Sequence, residues 1–266
     1  MKLNSSKHIS KIEKVNINMP EPAITIQDIT KKFEDKTALD NLNLQVAKGE
    51  LFGLLGPNGA GKTTIINILC GLVKPTNGSA KVYGYDVQEE TQKVKELIGV
   101  CPQETAIYPY LTGAENLELF GNLHGMNRRV FKERSNMLLS KLGLKEDAKR
   151  LAAKYSGGMK RRLNLALALI HDPQVEFLDE PTVAMDPQSR HAVWDFIKDQ
   201  KIQGKTIILT THYMEEAEEL CDRVGIIDHG KLIALGTPKE LIAESQVDSL
   251  ETLFIKLTGR AIREEA

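Results

Sequence analysis

The 266-residue chain is poor in cysteine, in net charge and in long apolar runs, and each shortage removes a class of protein. Cys70, Cys101 and Cys221 are odd in number, scattered and without C-x-x-C spacing, so neither a disulfide framework nor a thiolate metal site is written here. They read as free thiols of a reducing compartment, which predicts a cytoplasmic chain. A formal net charge of −1 lacks the basic excess that a non-specific nucleic-acid binder needs, and the short cluster Lys160-Arg161-Arg162 does not reverse this. No nucleic-acid partner is expected. No stretch approaches the ~18 consecutive apolar residues of a membrane span, and the first residues lack the apolar core of a signal peptide. If a membrane matters, another chain must cross it.

What is present is a patterned α/β sequence, long enough to bury roughly 70–75% of its unfolded surface. Residues 1–22 are polar and end in Pro20-Glu21-Pro22, which predicts a loose lead-in. Ala23 to Ile29 alternates at period two, as do Leu42, Leu44 and Val46, so antiparallel strands are expected there. A turn at Pro75 to Gly78 and a short strand at Ser79 to Tyr83 follow. Thr112 to Ala168 reads as helical throughout, with apolar stripes through Leu117, Leu119, Phe120 and Leu123, then Met137 to Leu142, then Leu163 to Ile170. Strands at Val175–Leu178, Thr206–Leu209 and Val224–Ile227, separated by helices at Gln188–Gln200 and Met214–Leu220, imply a parallel sheet.

The chemistry begins at Gly56-Pro57-Asn58-Gly59-Ala60-Gly61-Lys62-Thr63, the pattern G-x-x-x-x-G-K-[ST], between an apolar strand at Glu50–Leu55 and a helix from Lys62. Its glycines let backbone N–H groups turn inward around phosphate oxygens, and the helix N-terminus adds partial positive charge. Lys62 is placed to reach the β and γ phosphates, and the Thr63 hydroxyl to hold Mg²⁺. The ligand is a nucleoside triphosphate. No Asn-Lys-x-Asp guanine-reading motif occurs, which disfavours a GTPase.

Val175 to Leu178 runs into Asp179-Glu180, two acids at the C-terminal end of a strand, where an open α/β sheet binds ligands. Asp179 suits Mg²⁺, and Glu180, on the opposite face of the pleat, suits a general base for water. Ser156 followed by Gly157 and Gly158 is a candidate N-cap that leaves the next helix N-terminus bare, a second anion site. One nucleotide already cradled by the first loop has no use for it, unless the second site serves a nucleotide held by another subunit.

Together these motifs resemble the nucleotide-binding subunit of an ATP-binding cassette transporter, over essentially Ala23 to the C-terminus. The resemblance implies an α/β fold: a P-loop NTPase core with a mainly parallel sheet, an antiparallel β subdomain and a helical signature-motif subdomain. It implies an ATP-binding domain over residues 23–245, the helical subdomain at about 104–168, and a helical tail at 246–266. By that likeness ATP lies on Gly56 to Thr64, with Phe33 stacking on adenine. Mg²⁺ is shared by Thr63, Asp179 and the glutamine-loop residue Gln103. The signature motif is Tyr155-Ser156-Gly157-Gly158-Met159, the D-loop acid is Asp186, and the switch histidine that bonds the γ-phosphate is His212. Lys62, Glu180 and His212 would be the catalytic set. Partners implied are a second copy or a paralogous subunit and an integral membrane permease, with the chain peripheral on the cytoplasmic face of the membrane.

Taken singly, several positions have plainer readings. Gln103 could be a surface turn, Phe33 a core residue, His212 a solvated or capping histidine, and Asp186-Pro187 simply a helix start. The signature has Tyr for Leu and Met for Gln. The D-loop has Ala184-Met185 where Gly-Leu is commoner, which would strain Ala184 if the site needs a positive φ. Glu176 is odd in a parallel strand, and is expected either near an exposed strand start or beside a basic partner. The signature, the segment Pro102-Gln103-Glu104 through Tyr108-Pro109 to Leu111-Thr112, and the tail from Ser249 to Gly259 resemble the bacterial and archaeal multidrug or antibiotic exporter type. There the section around Tyr108–His124 would receive the permease. A soluble cassette ATPase acting on a macromolecule is the alternative, but would normally carry two cassettes or a long coiled-coil insertion.

Overall fold

The computed structural model describes residues 22–34 and 36–259. The lead-in expected over residues 1–22 lies outside them except for Pro22, which opens the first strand, and so does the end of the tail at 260–266. In chain order the elements are β1 (Pro22–Phe33), β2 (Lys36–Ala47), β3 (Leu51–Leu55), α1 (Lys62–Leu69), β4 (Asn77–Val82), β5 (Tyr85–Asp86), α2 (Thr91–Leu97), β6 (Ile98–Cys101), α3 (Gly113–Leu123) and α4 (Arg128–Lys141). There follow α5 (Gly157–Leu169), β7 (Val175–Asp179), α6 (Pro187–Ile202), β8 (Thr206–Thr210), α7 (Met214–Leu220), β9 (Arg223–Asp228), β10 (Lys231–Gly236), α8 (Pro238–Ser245) and α9 (Leu250–Thr258). They form two compact units, one within Met1–Val94 and Thr211–Ala266, the other Lys95–Thr210.

In the first unit, β2, β1, β4 and β5 lie side by side in that order, all antiparallel. The predicted alternation holds on β2 from Leu42 through Leu44 to Val46, while the buried Leu39 falls out of phase across a register shift where Asn41 takes φ 50°. On β1 it is interrupted between Ile26 and Ile29, where the register shifts and Asp28 takes φ 49°. Asn43 stitches the irregularity, its Oδ1 accepting from Asp28 N at 3.0 Å and its Nδ2 donating to Asp28 Oδ1 at 2.9 Å. The strand therefore continues past the predicted end to Phe33. β3 is buried at all five positions, which is why it reads as a continuous apolar run. It pairs in parallel with β9, and β9 pairs antiparallel with β10.

In the second unit, β6, β7 and β8 are parallel with β7 in the middle, and every residue of β7 and β8 is buried. The expected helical stretch is broken twice, at residues 124–127, where Gly125 takes φ 64°, and at residues 142–156, where only a short 3₁₀ turn at Ala152–Lys154 occurs. Gly143, at φ 63°, ends α4, and Thr112 bridges to Leu151 across the base of α3. Helix α3 begins in a capping box, with Thr112 and Glu115 exchanging side-chain bonds to each other's backbone.

Glu176 meets neither expectation. It lies inside β7 with 0% exposure, and the nearby cations Arg134 and Lys205 bond Asp172 instead, at 3.1 and 2.9 Å. Neither of its carboxyl oxygens has a hydrogen-bond partner among the described residues. Burial pushes its pKa up to about 8, against the opposing pull of Lys205 and Arg134, so the group is largely protonated at neutral pH.

Candidate functional site

In the first unit the loop Gly56–Thr63 leaves the end of β3 and enters α1. Two constraints require glycine. A Cβ on Gly56 would stand 2.3 Å from the Ile227 carbonyl oxygen, and Gly61 has φ 116°. Lys62 arches back over the loop, its Nζ donating to Gly56 O at 2.6 Å and Pro57 O at 3.3 Å. The ammonium is thereby held above the loop instead of extending to solvent. Helix α1 starts at Gly61 with no side-chain cap and no acidic residue in its first turn. Such an end suits an anion, because its first amides have no intrahelical acceptor. Thr63 is exposed, Thr64 half-buried, Asn58 and Gly59 exposed, and Ala60 buried.

Phe33 ends β1 with 46% exposure and Lys31 Nζ 4.6 Å from its ring centre. It is not a core residue, and its ring is open to a stacking partner. His212 lies half-buried just before α7, its ring centre 4.2 Å from that of Tyr213.

In the second unit, β7 ends in Asp179 and delivers Glu180 directly after it, each 8% exposed. Thr210, at the end of β8, serves both acids. Its hydroxyl donates to Asp179 Oδ1 and accepts from Glu180 N at 3.1 Å, and its carbonyl also accepts from Glu180 N at 3.1 Å. Glu180 has φ 50°, an uncommon left-handed conformation that turns the chain as it leaves the strand. Gln103 Nε2 donates to Glu180 Oε2 at 3.3 Å. Gln103 lies in an exposed bend, and the fold brings its side chain to the carboxylate from 77 residues away.

Ser156 is the N-cap of α5, its Oγ accepting from Met159 N at 3.2 Å. Ser156 and Gly157 are exposed, Gly158 and Met159 half-buried, and nothing lies within 4 Å of a Cβ built on either glycine. Tyr155, in place of the usual Leu, is 5% exposed and donates its hydroxyl to Asp147 O at 2.7 Å, anchoring the segment before the cap. Asp186 caps α6, accepting from Ser189 N at 2.9 Å with Pro187 at the first helical position. Bonds from Ser189 hold its carboxyl below the usual carboxylate range. Ala184 has φ 57°, so the positive φ anticipated for the D-loop is present on a residue with a Cβ.

The sequence did not single out Arg161. It enters there only as a member of the short basic cluster Lys160-Arg161-Arg162, yet it is 4% exposed and its guanidinium bonds the carbonyls of Pro102, Gln103, Asp179 and Glu180.

The donors fit the expected ligands. Loop amides and Lys62 suit phosphate, while hydroxyl, amide and carboxylate oxygens from Thr63, Gln103 and Asp179 are the hard ligands that Mg²⁺ takes alongside phosphate and water. Among the described residues no helix is long and apolar enough to cross a membrane.

Residues 39–183 match the family described as ABC transporter. The chain is 44% identical over 236 residues to the daunorubicin resistance ATP-binding protein of Streptomyces coeruleorubidus, covering 89% of this chain and 75% of the relative. It is 45% identical over 238 residues to the linearmycin resistance ATP-binding protein of Bacillus subtilis, covering 90% and 75%. Among solved structures, an ATP-binding subunit of an ABC transporter superposes with a TM-score of 0.82 at 28% identity, over 88% of this chain and 99% of that one. A dimeric ATP-binding cassette in a post-hydrolysis state with ADP and Pi gives 0.73 at 27% identity, over 80% and 98%.

Proposed function

We propose, from the premise that this chain belongs to the ABC transporter family and hydrolyses ATP, that it powers export through a separate membrane permease. The export reading is supported by relatives named for resistance to daunorubicin and linearmycin. The observation that carries the catalytic part is the pairing of Glu180 with Gln103 and Thr210 at the end of β7.

In this mechanism the loop amides from Gly56 to Thr64 and the Lys62 ammonium bind the phosphates, and Phe33 stacks on the base. Glu180 takes a proton from the attacking water as its oxygen approaches the γ-phosphorus in line with the departing ADP oxygen. His212 bonds the γ-phosphate, and Lys62 lowers the cost of charge gathering on its oxygens. Asp179, Thr63 and Gln103 hold Mg²⁺. The ion supplies neutralising charge for the phosphate oxygens.

Two subunits, identical or paralogous, complete each site, with Ser156 to Met159 of one reaching the nucleotide on the other. The bare N-terminus of α5 and the dimeric neighbour support this. The chain then works at the cytoplasmic face of the membrane, bound to its permease. Gel filtration with ATP tests the sandwich. In a Glu180→Gln background that cannot complete hydrolysis, the protein should elute as a dimer, and adding Ser156→Arg should return it to monomer while ATP still binds. A dimer that persists with Ser156→Arg removes the signature motif from the interface. Copurification of the tagged chain with a multi-span protein, and ATPase stimulation by the exported compound, check the transport role; their absence would break it.

A further inference from the structure

Arg161 occupies the second turn of α5, a helix otherwise packed through Leu163, Leu165, Leu167 and Leu169. Burying a guanidinium is strongly unfavourable unless its N–H groups find acceptors. Here they find four backbone carbonyls on two separate segments. Nε donates to Glu180 O at 3.1 Å, and Nη2 to Asp179 O at 2.8 Å and again to Glu180 O. Nη1 donates to Pro102 O at 3.1 Å and to Gln103 O. One turn on, Asn164 reinforces the second segment, donating to Pro102 O at 3.1 Å and accepting from Ala106 N at 3.0 Å. The neighbouring Arg162 points elsewhere, to Leu142 O at 2.8 Å.

The two segments are the ones whose side chains meet at the carboxylate. Gln103 and Glu180 contact each other at 3.3 Å, and the backbone of each is fastened to the same planar group. Because the guanidinium presents its donors in a fixed fork, the spacing between the two backbones is set by a rigid body and not by loop packing. The fork is also five residues along the same helix from Ser156. A helix moves as a unit, so displacement of its N-terminus carries the fork, and with it both segments.

We propose that Arg161 is a positioning residue, joining Gln103 and Glu180 into one assembly and passing movement of the Ser156 end of α5 to the carboxylate that activates water. This rests on the reading of Glu180 as general base. Lysine in its place keeps the charge but offers a single point of donors, so it cannot hold four carbonyls in one plane.

The test is a double-mutant cycle on the full chain, combining Arg161→Lys with Gln103→Ala, with Arg162→Lys as control. Arg161→Lys should lower kcat by about 10- to 100-fold, the scale of a misplaced catalytic group, while the ATP dissociation constant stays within about threefold. In the Gln103→Ala background the same change should cost clearly less than in the wild type, because one of the two side chains it brings together is gone while its hold on Glu180 remains. Arg162→Lys should leave kcat and the cycle unchanged. Wild-type turnover in Arg161→Lys overturns the proposal, and so does an equal loss in both backgrounds. Failure of Arg161→Lys to fold assigns the residue to stability alone and overturns it too. Glu180→Gln separates the two claims. If that variant is inactive while the cycle is additive, only the positioning role falls; if it turns over normally, the general-base reading itself falls.

Discussion

Glu176 and Glu180 are four residues apart on and just past β7, and the protein handles them oppositely. Glu176 is the second residue of β7, fully buried and with no hydrogen-bond partner for its carboxyl among the described residues, and burial drives its pKa up to about 8. Glu180 receives Gln103 at its carboxylate, Thr210 at its amide and Arg161 at its carbonyl. Parallel strands in a covered sheet hide their middles and open at their C-terminal ends. A carboxyl buried inside the strand avoids the cost of a buried charge by staying neutral, whereas one at the C-terminal end can be supplied with partners. Position along one strand thus separates a carboxyl that burdens the fold from one proposed to act on water.

Glutamine substitutions break this contrast if the assignment is wrong. The largest effect is expected at the strand end: Glu180→Gln should lose on the order of 10²–10⁴ in turnover with ATP binding retained, measured by steady-state phosphate release and nucleotide affinity. Inside the strand, Glu176→Gln should spare turnover and act on stability in a pH-dependent way. The fold holds a proton on Glu176 that the unfolded chain gives up near the ordinary value of 4.5, so wild-type stability falls as pH rises from there to about 8. The variant has no such titration. Its advantage in denaturant melts should therefore grow between pH 5 and pH 8 to on the order of a few kcal/mol, and a pH-independent difference would show that Glu176 is ionised in the fold. The smallest effect concerns the turn beyond. Glu180 and Ala184 both take positive φ, and Ala184→Gly should relieve about 1 kcal/mol of backbone strain, read as a higher melting temperature. An unchanged or lower melting temperature would place no stored strain there.

The elements that carry the chemistry were the legible ones. β3, β7 and β8 are buried at every position, so they appear as apolar runs with a motif at the end. β6 is only four residues long and includes Gly99, and β10 is half-exposed along most of its length, so neither has a period to read. Helix α8 was not read from the sequence, although Thr237-Pro238 and Glu240, which form a capping box with proline at the first position, were a signal for it. The interruption at residues 142–156 was hidden because its apolar residues continue the helical stripe while Gly143 turns the chain. Phe33 and Gln103 could not be assigned locally. One needed the length of β1 and the other a partner 77 residues away. Arg161 was missed for the same reason, since a basic triplet looks like surface until its carbonyl partners are known.

The cap at Ser156 has a consequence in proton accounting. Bonding to Met159 N uses a lone pair of Oγ and leaves the hydroxyl hydrogen uncommitted to that bond. One atom can close the first turn of its own helix and still give its hydrogen to an oxygen beyond. Aspartate would start the helix as well, but ionised it only accepts, and it would set a negative charge where a phosphate is meant to approach. Of the residues that begin a helix well, the hydroxyl-bearing ones keep this end open to an anion.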